Sequence, residues 1–341
     1  RDSVMAVSRG GAPRWREFDK EMEEKEREML KKAGIIMPEG HMDGYKYMPQ
    51  KRVVEKQSWE VKPGPNSTPQ SSSSSWNNSD VSFELGQGIA YITLNRPQTN
   101  NSLNDGMMQG IHDACFELHR RSDIRIVVLR AEGKMFCAGG DPKSFQDTAS
   151  MTDAQSQRSS VCMMRLLHYF QSLPQFTIGL AQGSAMGTGV GLLAACDAVC
   201  AVNSARFVVS EVKIGMCPAA IVPVITSKVG ASHAKRIMCT AENISAPLAK
   251  QMGLVTELVD DEAEFSKYVE TICDKITLCA PLASARSKRL VQNVASRPLT
   301  LKLISYTGGE LADVRVGEEA VKGMVAVQAK TRPSWAEIPI K

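Results

Sequence analysis

The sequence has no cysteine pair at CxxC spacing and no strong excess of either charge, and it contains no apolar run of about 18 residues. Its nine cysteines are an odd number scattered from Cys115 to Cys279, and its five histidines show no metal-ligand spacing. A disulfide framework or a zinc module is therefore not expected. Thiols in apolar contexts read instead as small core residues of a reducing compartment. The missing apolar run gives no reason to expect a membrane span. A net charge of +4 is too small to argue for nucleic acid, and gives only weak support for a polyanionic small ligand.

What is present divides into two textures. Residues 1 to 80 are polar and poor in periodicity, whereas residues 81 to 331 alternate apolar strands with amphipathic helices. Within the first region, Glu17 to Lys32 is a charged helix candidate ended by Gly34, with Phe18, Met22, Met29 and Leu30 roughly on one side. So thin a stripe fits a solvated helix, with docking to a partner or a neighbouring subunit as the sharper alternative. Lys62 to Asp80 is Pro/Ser/Asn-rich and reads as a flexible linker. The expected division is thus 1–61 extension, 62–80 linker, 81–259 core and 260–341 helical subdomain and tail. All four tryptophans lie outside 81–331, so the terminal segments are expected to pack on something despite their polarity. The chain opens on Arg1, and Arg9, Arg14 and Arg16 with two serines suit the end of an organelle transit peptide. The expected location is the mitochondrial matrix or the cytosol.

Val81–Leu85 and Ile89–Leu94 flank Gly86-Gln87-Gly88, a hairpin signal. A helix over Asn104–Arg120, a strand over Ile124–Leu129, a long helix over Ser150–Ser172 and a strand over Phe176–Ala181 follow. Then come a glycine-rich turn, a short helix through Ala195 and a strand over Ala198–Val202, and from Ser232 the pattern is almost wholly helical. An α/β core with a helical C-terminal subdomain results.

Three stretches carry chemistry, each after a strand. Met135 to Asp141 (MFCAGGD) has small residues that let a ligand approach the backbone, where successive N–H groups can converge on an anionic oxygen. A plain tight turn explains it equally well. Gly183 to Gly191 (GSAMGTGVG) places glycines at a helix N-terminus, where unpaired N–H groups and the helix dipole favour an anion. It fits a dinucleotide loop poorly, being GxGxG, and it fails as a hydrolase elbow because Gln182 stands where GxSxG needs glycine. In Phe207 to Pro218, Glu211 interrupts an apolar stretch that would raise its pKa toward neutrality. A surface glutamate paired with Lys213 is the simpler reading of that residue alone. Together, two turns each offering one N–H, with a glutamate downstream, supply what a thioester enolate needs.

In that order and spacing the sequence resembles the crotonase (enoyl-CoA hydratase/isomerase) superfamily from about Val81 to Thr331. The resemblance is carried by ITLNRPQTNNSLN (92–104), FCAGGD (136–141), AQGSAMGTGVGLLAACD (181–197), ARFVVSEVKIGMCPA (205–219) and ISAPLAKQMGLVTELV (244–259). It implies a ββα spiral core, homotrimers or hexamers built through the helical C-terminus, an acyl-CoA thioester substrate, and no metal or redox cofactor. By position, the oxyanion-hole amides fall on Gly140 and Thr188 and the acid–base residue on Glu211. The CoA-contacting set falls on Gln98, Thr99, Ala138, Gly139 and Asp141.

Three departures shape the expected activity. Thr188 stands where glycine is usual, and its β-branched side chain narrows the pocket. Gln98-Thr99-Asn100 is more polar than usual at the CoA contact. Gly191 stands where two-glutamate hydratases carry their first acid. GVGL with SEVKIGMCPAAIVP is similar to the branch of methylglutaconyl-CoA hydratase-like enzymes and polyketide β-branching dehydratases, which implies a hydro-lyase for a branched, carboxylated enoyl thioester of the kind met in leucine degradation. Isomerisation or decarboxylation by the same group, and a catalytically quiet structural subunit, are the alternatives.

Overall fold

The computed structural model describes residues 75–143, 152–295, 297–337 and 339–340; the helix expected over Glu17–Lys32, with Trp15 and Trp59, lies outside them. The described residues belong to the unit spanning Pro69–Lys341. Along the chain its elements are β1 (Trp76–Asn77), β2 (Val81–Leu85), β3 (Ile89–Leu94), α1 (Asp105–Leu118), β4 (Ile126–Ala131), α2 (Asp153–Gln171), β5 (Phe176–Ala181), β6 (Ala185–Met186), α3 (Thr188–Ala195), β7 (Ala198–Val202) and β8 (Arg206–Val208). They continue with α4 (Val222–Thr240), β9 (Ile244–Ser245), α5 (Ala246–Met252), β10 (Glu257–Val259), α6 (Phe265–Thr277), α7 (Pro281–Val294), α8 (Leu301–Arg315) and α9 (Glu318–Ala329).

The hairpin β2–β3 opens the main sheet in antiparallel register, Val81 opposite Leu94 and Leu85 opposite Ala90. From β3 onward every pairing is parallel, giving the order β1-β2-β3-β4-β5-β7-β10. Burial depends on what covers the faces rather than on place in the order. Strands β2 and β7 are each second from an edge, yet β2 alternates buried and less buried residues, while β7 (AVCAV) is buried throughout, as a strand covered on both faces must be. A second sheet, β6-β8-β9, carries the residues nearest the site. The mixed sheet with helices outside it and a helical C-terminal region is the expected crotonase architecture.

Ordered structure begins earlier than the linker reading allows. Trp76 and Asn77 pair with Phe83 and Ser82, and the Trp76 ring lies 5.6 Å from that of Phe83. Two residues are too short for an alternation signal, so only the tryptophan hinted at the strand. Helices α1 and α8 begin at polar caps: Asn104 accepts the Met107 N–H at 2.8 Å and Thr300 accepts that of Leu303, each worth about 1 kcal/mol. In α4 the backbone breaks from helical geometry at Gly230 (φ 76°, ψ 160°).

The C-terminal helices bury little. Among the described side chains, α7 buries none, and Leu301, Ile304, Val316 and Val327 stand 53%, 48%, 78% and 77% exposed. An ion cluster ties α7 to the core. Lys288 Nζ reaches Asp197 Oδ2 at 2.6 Å and donates to Gln175 O at 2.8 Å. The same Asp197 oxygen accepts from the N–H and hydroxyl of Thr177. Lys228 of α4 donates to the carbonyls of Cys196 and Asp197.

Candidate active site

The two glycine-rich turns meet. A Cβ added at Gly139 (φ 91°) would lie 3.0 Å from Met186 O, and one at Gly189 would lie 2.7 Å from Cys137 O and 3.0 Å from its Sγ. Backbone bonds lock the approach: Met186 N–H donates to Cys137 O at 2.8 Å and Phe136 N–H to Ser184 O at 3.1 Å. Side chains are excluded at 139 and 189 because backbone of the other turn already fills the space.

Gly140 sits opposite Leu103 in an isolated parallel bridge. In it, Leu103 N–H donates to Gly139 O and Asp141 N–H to Leu103 O. The bridge uses the groups on either side of Gly140, and among the described residues its own N–H has no partner. Thr188 is the first residue of α3, preceded by Gly187 at φ 48° and ψ −120°. Its N–H is among those a helix start leaves without an intrahelical acceptor, and it too has no partner among the described residues. Both amides flank the contact between the two turns, and the positive end of α3 lies at the second.

Glu211 opens the 3₁₀ turn Glu211–Ile214, which Gly215 closes in the left-handed region. A Cβ added at Gly187 would come 2.8 Å from Glu211 Oε1, so the carboxylate lies directly against the residue that precedes the Thr188 amide. Its other oxygen is buried and has no hydrogen-bond partner among the described residues. Burial raises the Glu211 carboxyl above its ordinary value, opposed by the N–H groups of Glu211 and Ser210. Lys213 makes no ion pair with it among the described residues, so the simpler surface-pair reading of Glu211 fails.

Of the remaining expected residues, Ala138 is joined to the 98–101 turn by its N–H bond to Asn100 O at 2.9 Å. Gln98 is exposed and Thr99 half-buried on the short 3₁₀ turn Pro97–Thr99. Asp141 does not turn toward them. Its carboxylate is 6% exposed, accepts from Arg96 Nη1 at 3.0 Å and from Lys143 N–H at 3.0 Å, and meets Ser102 Oγ at 3.4 Å. The Lys143 N–H, followed by the Arg96 guanidinium and Ser102, holds it below the usual carboxylate range against the effect of burial. Asp141 therefore organises the loop from inside.

Two residues that sequence reasoning passed over do the same. Asn101, fully buried at φ 53°, donates to Glu132 O and Met135 O and accepts from Arg96 N–H. Arg96 donates to Ser102 O and Asp141 and lies 3.7 Å from Asp80. Their signal was the asparagine-rich NRPQTNN run, since asparagine tolerates left-handed backbone and bonds it locally. Two surface clefts of about 850 and 540 Å³ lie elsewhere, and neither is lined by Gly140, Thr188 or Glu211.

The mixed sheet with its helical C-terminal region defines the crotonase-fold class, and within it two glycine turns meet beside the half-buried Glu211. The solved structure of an enoyl-CoA hydratase from Shewanella pealeana superposes with a TM-score of 0.72 at 29% identity, covering 75% of this chain and 95% of that one. A Legionella pneumophila structure assigned to enoyl-CoA hydratase/isomerase (crotonase) gives 0.69 at 32% identity, covering 76% of this chain and 100% of that one. A Rhodobacter capsulatus protein assigned as an enoyl-CoA hydratase is 31% identical over 253 residues, covering 70% of this chain and 93% of its own length. The sequence profile of the enoyl-CoA hydratase/isomerase family matches residues 84–337, and the chain belongs to that family.

Proposed function

We propose that the chain is a hydro-lyase that adds or removes water across the double bond of a branched enoyl-CoA thioester. The observation that carries this reading is the buried Glu211 oxygen, without a partner among the described residues, on the carboxylate that lies against Gly187, the residue before Thr188. The N–H groups of Gly140 and Thr188 would hold the thioester oxygen as negative charge moves onto it. Water then bonds through oxygen to C3, the π pair moves toward the thioester as an enolate, and Glu211 takes the water proton and returns it to C2. The net change is H and OH across one C=C bond. The family membership and the hydratase relatives support water as the reactant; the resemblance to the methylglutaconyl-type branch supports the branched acyl group.

One observation favours a second reading, double-bond isomerisation or decarboxylation: among the described residues Glu211 is the one carboxylate that lies against the Gly187–Thr188 turn, and one suffices for moving a proton. Assays with crotonyl-CoA and 3-methylglutaconyl-CoA, following loss of enoyl absorbance, test the proposal. Turnover of the branched acid supports it. Deuterium incorporation from heavy water with no oxygen added moves the assignment to the second reading.

A further inference from the structure

Helix α3 presents two successive turns to the segment that runs from Glu211 to Ile221. Gly187, the cap residue before α3, and Gly191 lie one turn apart along the helix axis, with Gly191 N–H donating to Gly187 O at 3.2 Å. Gly187 meets the Glu211 carboxylate. Gly191 meets hydrocarbon: a Cβ added there would lie 2.4 Å from Ile221 Cγ2, 3.0 Å from Ile221 Cβ and 3.7 Å from Leu167 Cδ1.

Ile221 has little freedom to withdraw. It is 1% exposed and its N–H donates to Pro218 O. It is also the cap residue from which α4 starts. A polar side chain at 191 would stand beside Glu211, one helical turn along, but only if Ile221 first vacates the space.

We propose that Ile221 is the residue that fixes this site as a one-carboxylate site. It occupies the volume from which a second acid would hold water, and so determines which enoyl thioesters the enzyme hydrates. This rests on the hydro-lyase reading above. With water held by Glu211 alone, hydration of crotonyl-CoA lacks the contribution of a second acid–base group.

The test uses Gly191→Glu, Ile221→Ala and the double variant, with urea melts to confirm folding. Gly191→Glu alone is expected to lose stability and gain nothing. The double variant is expected to hydrate crotonyl-CoA about 10²-fold faster than wild type, the scale of one general acid–base group, and to add a second carboxylate limb to the pH profile. A stable Gly191→Glu variant with that gain, or a folded double variant without it, overturns the proposal.

If the double variant does not fold, Ile221→Ala decides. In heavy water its ratio of water addition to deuterium exchange is expected to rise, because the smaller side chain admits water; an unchanged ratio overturns the proposal. A wild-type enzyme that neither hydrates nor exchanges overturns the hydro-lyase reading itself. A wild type that does either, with the Ile221→Ala ratio unmoved, overturns the role of Ile221 alone.

Discussion

Glu211 is a residue whose burial acts on chemistry and stability in opposite senses. Its carboxyl is raised above the ordinary value by burial, so the ionised base is populated only at higher pH than for an exposed glutamate. Under the proposed mechanism, kcat/KM should fall as pH drops through that raised value, and a pH–rate profile with an acidic limb in the ordinary carboxylate range would contradict it. Glu211→Gln should lower turnover by about 10²–10⁴-fold, the usual contribution of a positioned acid–base group. The linkage runs the other way for folding. A group whose folded pKa exceeds its unfolded one contributes stability below the unfolded value and loses it as pH rises through the folded value. The glutamine variant should therefore melt higher than wild type at neutral pH, and a lower melting temperature would show that the charged form is better solvated than its burial implies.

At the scale of elements, the 96–104 turn and the 135–141 loop act as one piece because Arg96, Asn101 and Asp141 tie them together. Among the described residues, Asp141→Asn leaves Arg96 close to a carboxylate only at Asp80, 3.7 Å away. Leaving a buried charge wholly unpaired costs about 3–5 kcal/mol; with Asp80 retained the loss is expected to fall below that range, and a urea melt would resolve it. Because Asp141 is held below the usual range, the native pair contributes stability above the unfolded carboxylate pKa and loses it as pH falls through the lowered folded value. Wild type and variant should converge in acid. If they stay equally far apart there, the pair is not what Asp141 supplies.

Much of this was legible in sequence because periodicity and glycine spacing are local. The hairpin at 81–94 and the strands 176–181 and 198–202 fall where alternation and apolar runs place them. The strand expected over Ile124–Leu129 lies two residues later, at Ile126–Ala131, because pairing with β3 sets its register. The two-residue strands β6 and β9 are too short to carry a period and exist only through their partner β8. Motif order proposes Gly140, Thr188 and Glu211, and the turns that carry them lie against one another. It does not propose the packing of Ile221 on Gly191, which joins positions 30 residues apart through a contact with no pattern of its own. Asp141 was misleading for a related reason: a carboxylate in a ligand loop looks the same in sequence whether it faces the ligand or the loop's own guanidinium.

For the whole molecule, α8 and α9 leave Leu301, Ile304, Leu311, Met324, Val325 and Val327 about half exposed or more, and exposed apolar residues gathered on neighbouring helices are what a subunit contact covers. We infer a homotrimer or a pair of trimers that covers them. Sedimentation should give at least three times the 37.2 kDa chain mass, and Ile304→Glu with Val327→Lys should shift it downward without unfolding the core. A monomeric wild type would refute the inference.

Asp197 sits where β5, β7, α4 and α7 all come within reach of one another through Thr177, Lys228 and Lys288. That placement sets an order of assembly. The cation on α7 has nothing to bind until the strands around Asp197 are laid down, so the C-terminal helices are expected to seat last and detach first. In native-state hydrogen exchange, amides of α7 to α9 should open at lower free energy than those of β5 and β7, and Lys288→Met should widen the gap. Equal protection across the two regions would mean that the helices and the sheet fold as a single cooperative unit.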